Sequence, residues 1–132
     1  MKKPPLIQLD FGSVAIYKNH MIAIMDEGIT IKPEFNDILK DIVEEYYPDK
    51  PFAYISRRLN SYAVDPTIYK RCSEIENLVG IAVVSNQPYS KSSVNVEKLF
   101  YDKLFVYYND LDSAIKWADG VTQNPASENQ PS

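Results

Sequence analysis

The spacing of hydrophobic residues changes several times along the chain, and each spacing predicts a different kind of element. Apolar residues recur at strand-like intervals over 6–11 and 14–17, with Gly12-Ser13 as a break, and again from Met21 to Met25. Asn19-His20 lies between the last two runs and suits a tight hairpin turn, because Asn tolerates the left-handed backbone region. The chain is therefore predicted to begin with antiparallel strands.

A pattern of alternating helices and strands follows from residue 33. Pro33 suits the first turn of a helix, and Pro48 ends it. The apolar stripe of this helix is Phe35, Ile38, Leu39, Ile42, Val43 and Tyr46. A short strand is predicted over 52–56. Asp65-Pro66 marks a second helix start, because Asp caps helix N-termini and Pro fits the first helical position. Its buried face is predicted to be Ile68, Cys72, Ile75 and Val79, with the alternative that Val79 already belongs to the next strand.

The second half of the chain continues this alternation. Residues 79–85 are apolar on both faces, which is typical of a central parallel strand. A third helix is predicted over about 92–101, and a strand over 104–108. The residues of the third helix expected to face inward are Val96, Leu99 and Phe100. A fourth helix is predicted from an Asp110 cap to about Gly120. Its stripe is Leu111, Ala114, Ile115 and Ala118.

These elements together predict an α/β fold. Its mixed sheet has about five to six strands, an antiparallel N-terminal hairpin followed by β-α-β-α-β-α-β-α, with four helices. One domain is predicted over 1–121. Residues 122–132 are predicted to be a flexible C-terminal tail, because this segment has too few apolar residues to bury.

Composition narrows the function classes. The 132 residues carry a net charge of −4, which argues against nucleic acid as the main partner. The four Gly residues are too far apart for a phosphate-binding loop. One Cys and one His exclude an intrachain disulfide, a multi-Cys zinc site and a two-His metal motif, so no cofactor or metal is expected. No apolar run is long enough for a signal peptide or a membrane span, which favours a cytoplasmic protein.

Two stretches carry a family resemblance, residues 75–85 and 104–118. The second fits a pattern of an acidic residue, an Ala and a Trp followed by a small or apolar residue, here Asp112, Ala114, Trp117 and Ala118. Over about 9–119 the chain resembles the SpoIIAA-like group of the STAS superfamily, whose fold is similar to lipid-binding CRAL-TRIO domains. The resemblance implies a bacterial, non-enzymatic regulatory or ligand-binding module with a SpoIIAA/STAS-like fold.

One part of the family pattern is absent. In the anti-sigma antagonists of this superfamily, a phosphorylatable Ser lies in an Asp-Ser-Ser-Gly-like turn that opens the second helix. The corresponding residues 60–66 contain Ser61 but not that turn.

The predicted ligand site lies beyond the carboxyl ends of the central strands, where open α/β sheets bind ligands. Its candidate residues are Ser56, Arg57, Arg58, Asn60, Ser61, Tyr62, Ser85, Asn86, Ser92 and Ser93. Arg presents a planar donor fork that suits a carboxylate or a phosphate. We therefore expect a small amphipathic or anionic ligand, or a protein partner, at these loops. The alternatives are that the arginines form solvated ion pairs and that the serines cap the third helix.

Two other functions fit the same sequence. One is a small hydrolase or transferase using Ser61 or Tyr62 with Arg58 and Asp65, which requires those side chains within hydrogen-bond reach. The other is a structural homodimer that associates through tyrosine-rich faces.

Two further residues are assigned no function. His20 is expected at the hairpin tip, remote from the strand ends where the ligand site is predicted. Cys72 is expected to be an inert packing group on the second helix.

Overall fold

The computed structural model describes residues 3–87 and 94–123. Eight strands lie in these ranges: β1 (Leu6–Leu9), β2 (Gly12–Ile16), β3 (His20–Met25), β4 (Thr30–Ile31), β5 (Phe52–Arg57), β6 (Ala63–Val64), β7 (Leu78–Val84) and β8 (Leu104–Tyr108). The helices are α1 (Phe35–Tyr46), α2 (Ile68–Cys72), α3 (residues 94–97, continuing as the 3-10 turn Lys98–Phe100) and α4 (Leu111–Gln123).

The main sheet has six strands in the order β1-β2-β3-β5-β7-β8. Neighbours are antiparallel from β1 to β3 and parallel from β3 to β8. The strands β4 and β6 form a separate parallel pair. The predicted α/β fold with a mixed sheet, an antiparallel hairpin at its start and four helices is confirmed.

The helices cover both faces of the sheet. Buried residues of α1, α2 and α3 join one hydrophobic cluster, and those of α4 join another. Three successive β-α-β units place α1, α2 and α3 on the same face, because crossovers between parallel strands share one hand. At the centre of the second face, Trp117 lies across Gly80, where an added Cβ would be 2.9 Å from the ring carbon Cζ2.

The prediction for the first turn was wrong. Gly12-Ser13 opens β2 and is not a break, and the turn lies at residues 10–11. A Cβ at Gly12 would be 2.6 Å from the Ile24 carbonyl oxygen, so glycine is required here by close strand packing.

His20 is also not at a hairpin tip. It is the first residue of β3, pairs in register with Ala53 and is buried. Its ring stacks on Tyr17 with the centroids 4.8 Å apart. The Nδ1 atom lies 2.8 Å from Asn19 Oδ1, and Asn19 donates in turn to Asp119 of α4. Burial lowers the pKa of His20, and the nearby Asp119 charge opposes this.

The inward face predicted for α3 was wrong. Val96 is 54% exposed and Leu99 is 83% exposed, whereas Val94 and Glu97 are buried. Phe100 is half-buried and packs against the first cluster. Ile38 of α1, also predicted to face inward, is 37% exposed.

Two helix ends differ from the prediction as well. Helix α2 ends at Cys72, although Ile75 beyond it is buried as predicted. The start of α4 agrees with the prediction, because the helix begins at Leu111 and the Asp110 carboxylate accepts the Ser113 N–H at 2.9 Å. Its C-terminal end differs. It continues past Gly120 to Gln123, with Val121 and Thr122 buried. Residues 124–132 of the predicted tail lie outside the described ranges.

Candidate functional site

A cavity of about 40 Å³ lies between the first face of the sheet and helices α1 and α2. That volume holds at most about three water-sized groups. Most of its wall is apolar; examples are Met25, Phe35, Leu39, Ile68, Leu78 and Ile81. Its polar residues are Tyr54, Ser56, Arg58, Tyr62 and Tyr69. Small-molecule sites usually have such a lining, but this cavity is far smaller than the roughly 300–1,000 Å³ of pockets for drug-sized ligands, so it suits only a very small ligand.

The loop that follows β5 is held beside the cavity by hydrogen bonds to the segment after β3. Asn60 Nδ2 donates to the Met25 carbonyl at 2.8 Å, and the Ser61 N–H donates to the Glu27 carboxylate at 2.9 Å. The short β4–β6 pairing then continues the contact. These bonds fix the loop through its backbone and amide groups, so Tyr62 has a defined position on the cavity wall.

Strand alternation separates the two neighbouring arginines. Residues next to each other on a strand point to opposite faces, so Ser56 and Arg58 line the cavity and Arg57 does not. Arg57 pairs in register with Val84, whose side chain belongs to the α4 cluster on the other face. The two arginines therefore do not form one basic site.

Side chains at the polar end of the cavity are joined in one network. Ser56 Oγ and the Tyr62 hydroxyl are 3.1 Å apart, and Arg58 Nε donates to Ser56 Oγ at 3.4 Å. The Arg58 guanidinium carbon lies 5.8 Å from the centre of the Tyr62 ring, within cation–π range.

Arg58 is paired with Glu97 of α3. Its Nη1 donates to Glu97 Oε2 at 2.8 Å and its Nη2 to Oε1 at 2.5 Å, so the pair is bidentate. The Tyr69 hydroxyl donates to the same Oε1. The Arg58 and Glu97 side chains are only 11% and 7% exposed. Three donors thus converge on one buried carboxylate, which is a strong arrangement for holding such a group.

The surroundings keep these groups in the protonation states that the network needs. Burial alone would lower the pKa of Arg58, but its hydrogen bond to Glu97 and the neighbouring tyrosines raise it overall. Burial, and next the Glu97 charge, raise the pKa of Tyr69 well above its usual value. At neutral pH, Arg58 is therefore a cation and Tyr69 a phenol that can donate.

The other predicted site residues lie outside this network. Asn60 and Ser61 are exposed, and so is Asn86 after β7. Ser85 is buried; its Oγ accepts the Gln87 N–H at 3.2 Å, and its carbonyl accepts from the Tyr107 hydroxyl at 2.6 Å. Ser92 and Ser93 lie outside the described residues. Of the ten candidates, the cavity thus brings together Ser56, Arg58 and Tyr62.

Asp65 is engaged in a turn of its own. Its Oδ1 accepts the Thr67 N–H at 3.1 Å and the Thr67 hydroxyl at 2.7 Å, and these bonds lower its pKa. Within residues 3–87 and 94–123, no hydrogen bond joins Asp65 to Ser61, Tyr62 or Arg58. The carboxylate of the predicted catalytic set therefore lies in the turn before α2, whose N-cap residue is Thr67, without a side-chain capping bond, and not the predicted Asp65.

Glu97, the most important partner in the network, was not predicted from the sequence. Val94, Glu97 and Tyr101 also share one helix face, at i, i+3 and i+7. This face is less apolar than the predicted inward face, Val96, Leu99 and Phe100, because it carries the Glu97 carboxylate. The tertiary contact that makes this face the buried one is Arg58, from a different element. Tyr54, Tyr69 and Cys72 also line the cavity. Burial raises the pKa of Cys72 to about 12.

Comparisons of the chain with models of protein families, with curated proteins and with solved structures found no match. In the described part of the chain, no group of three or more His, Cys, Asp or Glu residues could hold a metal ion. In the same ranges, every helix is too short or too polar to cross a bilayer.

Proposed function

We propose that this protein is a non-enzymatic binding module that takes up a small amphipathic carboxylate in the cavity beside Arg58. The observation that carries the proposal is a buried guanidinium at the polar end of an otherwise apolar cavity. A ligand with a carboxylate head and an apolar body matches both parts of that site.

Stability alone does not explain why the Arg58–Glu97 ion pair is buried beside the cavity. Taking a charged pair out of water costs several kcal/mol per ion, and apolar residues in the same place are often as stable or more so. A cation that lines a cavity, as Arg58 does, has a use in recognition that a cation packed in a solid core lacks. The neighbouring hydroxyls of Ser56, Tyr62 and Tyr69 add donors to the same end of the site.

Binding is favoured over catalysis by the position of Asp65, which hydrogen-bonds to Thr67 through Oδ1 and not to Ser61, Tyr62 or Arg58. We further propose that the protein belongs to the SpoIIAA-like group, is cytoplasmic, and has a regulatory role through a protein partner. The order of strands and helices supports the proposed family. The absence of a long apolar run in the sequence supports the proposed location.

The test is calorimetric titration of the full chain with acetate, butanoate, hexanoate and octanoate, and with the corresponding alcohols. We expect acetate and butanoate to bind more tightly than hexanoate and octanoate, because the cavity is small, and the alcohols to bind much more weakly than the carboxylates. Arg58→Gln should reduce carboxylate affinity by at least about tenfold, because it removes the buried cation. Arg57→Gln is the matched control, and it should change affinity by less than about twofold, since Arg57 lies on the other face.

Two results would count against the proposal. One is that the wild-type chain binds none of the carboxylates at millimolar concentration. The other is that the Arg57 and Arg58 variants bind them equally well.

A further inference from the structure

The carboxylate subsite beside the cavity is already occupied by a residue of the same chain. Glu97 accepts two hydrogen bonds from the Arg58 guanidinium and one from the Tyr69 hydroxyl. Both donors line the cavity. A planar donor fork and one phenol directed at two oxygens are what a free carboxylate would also require.

Helix α3, which supplies Glu97, is attached in an unusual way. It exposes two apolar side chains, Val96 and Leu99, and buries a carboxylate between them in sequence. Among its described residues, the apolar attachment consists of the buried Val94 and the half-buried Phe100, together with Tyr101 just beyond its end. Such a conflict between local pattern and observed burial is expected at functional sites. The polar contact of Glu97 is therefore a main attachment of α3 at this end of the cavity, and an anion that takes over Arg58 would remove it.

We infer that Glu97 is an internal occupant of the ligand site, which a short monocarboxylate displaces from Arg58 and Tyr69. The inference rests on the proposed function and names the ligand class and the control of the same site. The incoming carboxylate takes the three donors that Glu97 releases, and its apolar body enters the cavity. The small cavity volume, about 40 Å³, favours a chain of only a few carbons over a long acyl chain.

Competition by Glu97 has a measurable consequence. A ligand that binds only after Glu97 has left shows an affinity reduced by the fraction of molecules in which the site is free. Neutralising Glu97 should raise that fraction and so tighten binding. A purely structural ion pair predicts the opposite, because loss of its carboxylate would loosen the site.

The experiment compares butanoate and hexanoate binding to the wild-type chain, to Glu97→Gln and to Glu45→Gln by calorimetry. Glu45 is an exposed residue of α1 and serves as the matched control. We expect Glu97→Gln to bind at least about tenfold more tightly and Glu45→Gln to bind like the wild type. Binding to Glu97→Gln with none to the wild type would overturn the inference, since no carboxylate would then displace Glu97 from Arg58 in the natural chain. An unchanged or weaker affinity of Glu97→Gln would overturn it.

A second variant covers the case in which Glu97→Gln does not fold, as judged by Trp117 fluorescence. Glu97→Asp keeps the charge but shortens the side chain by one methylene, which weakens its hold on Arg58. It should bind butanoate more tightly than the wild type, and no gain would overturn the inference. The proposed function fails separately, through equal binding by the Arg57 and Arg58 variants, whatever the result at Glu97.

Discussion

At the scale of single residues, sequence neighbours in this protein have different surroundings. Arg57 and Arg58 are adjacent and chemically identical, yet only Arg58 lines the cavity. The alternation of a strand explains the separation, and it could have been predicted once β5 was known to reach Arg57. The predicted strand ended at Ser56, so both arginines were placed in one loop.

His20 gives a prediction at the same scale. Its pKa is lowered by burial, so below its usual value of 6.5 the unfolded chain binds a proton more readily than the folded one. The free energy of unfolding should therefore fall as the pH drops from about 7.5 to 5.5, by at most about 1.4 kcal/mol per pH unit. Guanidinium unfolding followed by Trp117 fluorescence measures this.

The control is His20→Gln, which removes the only histidine of the chain. Its unfolding free energy should be nearly flat over the same pH window. An equal slope in both proteins would show that other groups cause the pH dependence.

At the scale of elements, the helical spacing of apolar residues predicted where helices form, but it did not always predict which face of a helix is buried. The stripe of α1 predicted four of its five buried residues, whereas that of α4 predicted Ala114 and Ala118 but not Val121 and Thr122. In α3, the face with more apolar residues is exposed, because the other face places Glu97 against Arg58. An ion pair across elements cannot be found from the periodicity of one element.

This assignment of the α3 face can be tested by two alanine variants. Leu99→Ala should change the free energy of unfolding by less than about 0.5 kcal/mol, because the side chain is exposed. Val94→Ala should reduce it by about 1–3 kcal/mol, because Val94 is buried in the first cluster. Denaturant unfolding of both variants gives the comparison. A larger loss at Leu99 than at Val94 would mean that the helix faces the other way.

At the scale of the whole molecule, Gly80 in β7 and Gly120 in α4 differ in how closely other residues pack against them. Gly80 in β7 lets Trp117 approach the sheet, with an added Cβ only 2.9 Å from the ring and 3.1 Å from Leu104. Gly120 has open space around its Cβ position and lies inside the helix, where a helix end was expected. One glycine is needed for packing between layers, and the other is not.

Paired alanine variants should show this difference. Gly80→Ala should lower the free energy of unfolding by about 1–3 kcal/mol, because Trp117 or the strand must move. Gly120→Ala should raise it by about 0.5–1 kcal/mol, because alanine has the higher helix propensity. Thermal unfolding of the two proteins measures both effects. Destabilisation by Gly120→Ala would indicate that the helix ends there after all.

The sequence by itself determined the fold class and the strands of the main sheet, including the doubly covered strand predicted at 79–85. Burial on one face leaves alternating apolar residues in the local sequence, and burial on both faces leaves a continuous apolar run. It also predicted a ligand site in the loop after β5, and this remains a prediction. Only the tertiary structure decided that Arg58 turns into a cavity and meets Glu97, 39 positions further along the chain. The pairing of two buried charges depends on which distant elements the sheet order brings together, and local patterns contain no record of that.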